Sequence, residues 1–275
     1  MTFSDISFIF NRALSKTFDK SKLLLMFVVL LLCGMMVVFF RGLSVGAGEW
    51  MKKSLTFLPL FLCVGVLLSA GILLIRIYHD EIKEKSINYR EVLSKSWEIV
   101  LGASYFSVPI ILLYLLLWML MGVFLLFEQV PFVGPFFSII LAFGPFLLNL
   151  AAIVLCVVNI SMLFFVAPAL ALKGLSSQEI SKSLIAKFNN DIFSNVTLGV
   201  IAVLPLALIL GVLTLAGIMS GPACLPCKTP LFTTLRWFIL MVPFVAFLAP
   251  ALIFFFNFAA ESHVLLLKKV RRKSS

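Results

Sequence analysis

The chain predicts an all-α integral membrane bundle of six spanning helices. Hydrophobic residues make up 62% of it and charged residues 12%, about half the charge density of a water-soluble domain. Apolar runs matching the roughly 20 residues that cross about 30 Å of hydrocarbon recur along most of the 275 residues. The short alternating stretches of barrel strands do not occur, so helices are the way to satisfy backbone groups within each segment.

The chain opens on a polar, amphipathic lead over Phe3–Phe18, with Phe3, Ile6, Phe10, Leu14 and Phe18 on one helical face. No small-residue cleavage site follows convincingly, so the first span is expected to be retained rather than removed as a signal peptide. The six predicted spans are Leu23–Phe40, Thr56–Ile77, Ala103–Phe127, Leu148–Leu172, Asn195–Met219 and Trp237–Ala260.

Two further leads resemble the first. Val92, Leu93, Trp97, Val100 and Leu101 share a face in Tyr89–Leu101, as do Ile180, Leu184, Ile185, Phe188 and Ile192 in Ser176–Phe193. Each lead carries a small-polar and basic core: Leu14-Ser15-Lys16, Leu93-Ser94-Lys95-Ser96 and Ile180-Ser181-Lys182-Ser183. The chain reads as one membrane domain, 1–275, with a basic tail, 263–275, and either three parallel repeats (1–78, 79–173 and 174–262) or Leu/Phe-rich hairpins alike by chance. Each repeat enters and leaves on one side, unlike the inverted repeats of many transporters. A lead either lies along the headgroups or packs on its own spans, and periodicity does not separate the two.

The apolar stretch from Phe136 to Leu172 is too long for one helix and too short for two with a turn. Gly144-Pro145 breaks it, which makes Phe136–Phe143 an interfacial or re-entrant piece. Pro59, Pro109, Pro168, Pro205, Pro243 and Pro250 lie within or near spans, where kinks are ordinary; the last two would permit a hinge.

Most of the 22 Lys and Arg fall in the N-terminus, the loops after the second and fourth spans, and the C-terminus. By the positive-inside rule both termini are cytoplasmic. The net charge of +10 is scattered over juxtamembrane segments, which fits membrane-surface electrostatics rather than nucleic acid. Lys268, Lys269, Arg271, Arg272 and Lys273 are expected to contact lipid headgroups. Asp80, Glu81 and Glu84, mixed with Lys83 and Lys85, read as a solvated face.

No hydrolase or transferase constellation, phosphate-cradling loop or paired carboxylates occur, so no catalytic residue, cofactor or metal is expected. Cys224-Leu225-Pro226-Cys227 lies in an outer loop and reads as a disulfide staple or inert pair, with a thiol–disulfide site as the alternative. Cys33 and Cys63 fall at similar depths in the first two spans and Cys156 has no partner; buried, such thiols behave as small hydrophobes. Asn149, Asn159, Ser161, Thr214 and Asn257 are the polar residues at depth. They hold helices together, or Asn149, Asn159 and Asn257 line a path.

The passage Phe164-Phe165-Val166-Ala167-Pro168-Ala169-Leu170-Ala171-Leu172-Lys173-Gly174 leads into the Ser176–Phe193 helix, and Tyr89–Leu101 with Ser96-Trp97 resembles the same element one repeat earlier. This plan resembles the six-span membrane domain of bacterial glycerophosphodiester phosphodiesterases and its free-standing integral membrane relatives. The soluble catalytic barrel is absent, so the resemblance implies a bacterial inner-membrane location and no activity. The function expected is a non-enzymatic organiser of membrane lipids or of other membrane proteins. The alternatives are a transporter or channel for a neutral or amphipathic solute and, behind it, a thiol–disulfide membrane enzyme.

Overall fold

A computed structural model describes residues 3–83, 94, 98–103, 105–128, 143–173, 192–219 and 230–274. Among the described residues the protein is helical throughout: α1 (Phe3–Ser15), α2 (Lys20–Leu43), α3 (Glu49–Ile82), a 3-10 turn (Tyr105–Ser107), α4 (Val108–Glu128), α5 (Phe143–Lys173), α6 (Ile192–Met219) and α7 (Pro230–Ser274). Six helices are long and apolar enough to cross a membrane, so this is a multi-pass membrane protein. The second and third leads lie largely, and residues 129–142 and 220–229 wholly, outside the described residues.

Local signals set the boundaries. Asp19 caps α2 by accepting from the Ser21 backbone N–H at 3.4 Å. The α2–α3 turn places Gly46 at φ 85°, the left-handed region where glycine carries no Cβ penalty. Pro145 falls in the first turn of α5, where its missing N–H has no intrahelical role; the Gly144-Pro145 break is thus the start of the span. Pro243 and Pro250 are both accommodated inside α7, which runs as one 45-residue helix. The expected basic tail is its last turns.

α7 is the hub, packing on α1, α2, α3, α5 and α6. Every residue from Ala251 to Ala260 is buried. Lipid tails are as apolar as these side chains, so fit and dispersion hold the helices rather than water exclusion. The fit comes from rings meeting small residues: a Cβ at Gly71 would overlap the Phe256 ring, and one at Gly34 would overlap Met241. Phe10 of α1 meets Phe254 edge-on, centroids 4.9 Å apart. A smaller cluster joins α3, α4 and α5 through Phe61, Ile110, Tyr114, Ala152 and Leu155.

The two ends differ. At the end carrying α1, α6 buries Leu198 and Ala202 against the hub. At the far end, residues 211–219 of α6 are exposed on nearly all sides. There the Arg41 guanidinium stacks over Trp237 at 4.4 Å, joining α2 to α7.

Candidate functional site at the α1 end

Lys22 stands in the first turn of α2, where the helix dipole disfavours a cation, and its side chain is fully buried. Three groups compensate. The Glu81 carboxylate of α3 pairs with it, the Lys16 carbonyl at the end of α1 accepts from Nζ at 3.3 Å, and the Tyr78 ring lies 5.4 Å below Nζ. That carbonyl belongs to the negative pole of α1, so one helix end answers the charge placed on another.

Glu81 is shared: its other oxygen accepts from Lys16 Nζ at 3.0 Å. A second pair lies beside it, with Arg12 Nε 3.5 Å from Glu261 Oε1 and Tyr78 Oη donating to the same oxygen at 2.9 Å. Glu81 is therefore not part of a solvated face. Its side chain is 18% exposed and belongs to the contact that binds α1 to α3 and α2. Three cations against two carboxylates leave this cluster with one net positive charge.

The end of α1 is closed by a third set of bonds. Asn257 Nδ2, fully buried on α7, donates to the Ala13 and Lys16 carbonyls, each at 3.4 Å. Thr17 Oγ1 donates to Ala13 O at 2.8 Å. Helix C-terminal carbonyls lack intrahelical donors, and here the hub supplies one. Arg76 acts similarly on α5, donating from Nε to Ala171 O at 3.1 Å.

α1 lies on the bundle through Ile9, Ala13 and the Phe10 ring, with Thr17 just beyond the helix, so Phe10, Leu14 and Phe18 do not pack as one face. Phe10 is half-buried against α7, while Leu14 and Phe18 are exposed together with Phe8. The small Ala13 permits close approach, the Phe10 ring packs beside it on α7, and Phe8 and Leu14 stay exposed.

The three amides are placed apart. Asn257 is bonded to α1. Asn159 is buried in α5, its Oδ1 without a hydrogen-bond partner among the described residues. Asn149 lines a recess between α3, α4 and α5 in the far half, with Ser54, Phe57, Tyr114 and Trp118. There Tyr114 Oη donates to Ser54 O at 2.9 Å. Lys268, Lys269, Arg271, Arg272 and Lys273 lie on the last turns of α7. Cys224 and Cys227 lie outside the described residues.

Sequence reasoning missed Lys22, Glu81, Tyr78 and Glu261 as a unit. Glu81 is 59 residues from Lys22, and Glu261 is 183 from Tyr78, so no local spacing connects them. No protein-family model, characterised protein or solved structure matches the chain.

Proposed function

We propose that this protein is a non-enzymatic organiser of membrane lipids or of partner membrane proteins. It works in the bacterial inner membrane with both termini in the cytoplasm. One observation carries the reading. α1 and the turn after it are fixed to α2, α3 and α7 by ion pairs and hydrogen bonds, yet Phe8 and Leu14 of the helix and Phe18 of the turn are exposed. A helix serving only to close the bundle would spend its large apolar side chains inward.

The charge placement supports the same reading. Lys20 and the partly exposed Arg12 and Lys16 lie on this end, as do the last turns of α7 with their five basic residues. Each basic residue near an anionic leaflet contributes about 1 kcal/mol of attraction. The amphipathic edge and the basic turns together form a platform at headgroup level.

Gentle purification in native lipid, with mass spectrometry of everything retained, tests this. The expected result is an enriched anionic lipid or a stoichiometric membrane-protein partner, reduced when Phe8, Leu14 and Phe18 are replaced together by Ser. Bulk lipid composition and no partner would overturn it.

A second reading, a transporter or channel for a neutral or amphipathic solute, is favoured by the recess at Asn149, where an amide and a tyrosine meet an apolar wall. It predicts proteoliposome flux that falls in Asn149→Leu. Unchanged flux in that variant would remove it.

A further inference from the structure

Cys33 on α2 and Cys63 on α3 meet across the interface of two consecutive spanning helices. Both are buried, 6% and 5% exposed. The Cys63 thiol donates to the Cys33 carbonyl at 3.6 Å, which seats one cysteine against the other. A lone buried thiol is a small hydrophobe. A thiol seated against a second cysteine across a helix interface is the starting arrangement for a disulfide, whose geometry tolerates only residues already adjacent. Cys156, the third free thiol among the described residues, lies on α5 beside the Phe61 and Tyr114 cluster and serves as an internal control.

We propose that Cys33 and Cys63 form an oxidisable dithiol whose disulfide ties α2 to α3, with a membrane-soluble quinone as the electron acceptor. Each thiol loses one proton and one electron as the S–S bond forms. The quinone takes both electrons and both protons and leaves as the hydroquinone. The surroundings select this acceptor. Both thiols lie buried within spanning helices, out of reach of an aqueous exchange partner, whereas a quinone dissolves in hydrocarbon. The bond would close a loop 30 residues long and fix the α2–α3 hairpin.

The test uses the full chain in membrane vesicles, treated with decylubiquinone, denatured, alkylated with a maleimide and mapped by mass spectrometry. The expected result is a cross-linked peptide joining α2 and α3, with loss of maleimide labelling at Cys33 and Cys63 that a reductant restores. Cys156→Ser should retain the cross-link, and Cys33→Ser or Cys63→Ser should lose it. Full labelling of both cysteines in treated wild-type protein would overturn the proposal. So would a cross-link from either of them to a different cysteine.

Discussion

Lys22 is a full charge without solvent contact, and Glu81 is the carboxylate that makes this tolerable. Removing one partner of a buried pair typically costs about 3–5 kcal/mol, because the other charge is left uncompensated. Glu81→Gln should therefore lower stability by about that range, read by thermal or denaturant unfolding in lipid nanodiscs. Lys16→Ala removes a cation that is 46% exposed and should cost no more than about 1 kcal/mol. The double change Lys22→Met with Glu81→Leu should recover most of the loss, since apolar replacement of a buried pair is often neutral. Equal effects of Glu81→Gln and Lys16→Ala would mean that Lys22 draws its stability elsewhere. From sequence, Lys22 is one more juxtamembrane lysine and Glu81 one acid in a mixed run. Only the folding of α2 against α3 turns them into a unit.

Among the elements, α1 and α7 depend most on each other. α7 presents ten consecutive buried residues, Ala251–Ala260, and Asn257 within them reaches the carbonyls of α1. Asn257→Leu should leave the spans assembled but loosen the last turn of α1. Faster amide hydrogen exchange over residues 13–17 would show this, with exchange in α7 unchanged. Glycines supply a second contrast. Gly71→Leu must displace Phe256, and overpacking of this kind costs about 1–3 kcal/mol. Gly211→Ala meets nothing within 4 Å and should be neutral or slightly stabilising, because alanine is the better helix former. Unfolding midpoints for the two variants check the ranking. The spans were legible because length and hydropathy specify them directly. The packing face of α1 was legible only in part: Phe10 of the apolar stripe packs on α7, but the fully buried Ile9 and Ala13 lie outside that stripe. Helices in lipid choose small residues for close approach, so the most hydrophobic face is a poor guide to the buried one.

Over the whole molecule, packing is graded from a tight end at α1 to an open far end. Among the described residues, the ion pairs, the Asn257 bonds to the end of α1 and the most buried stretch of α7, Ala251–Ala260, lie at the tight end. The far half of α6 and much of α4 face outward. That gradient was not legible in hydropathy, which is similar for α3 and α6 although α3 is far more buried. It depends on which helices surround α7, a long-range property. The candidate site was legible only in its parts. Arg12 and Lys16 were visible as basic residues of the N-terminal segment and Asn257 as a polar residue at depth, whereas their convergence at the end of α1 required the fold.

α1 is part of the bundle, fastened by the Lys22–Glu81 and Arg12–Glu261 pairs. Hydrogen–deuterium exchange of the full chain in nanodiscs tests this most directly. Amides over Ile9–Ser15 are predicted to be protected to a degree comparable with Ala251–Ala260 of α7, with protection over α1 lost selectively in Glu81→Gln. Exchange of α1 at the rate of a free peptide in the wild-type protein would contradict the account.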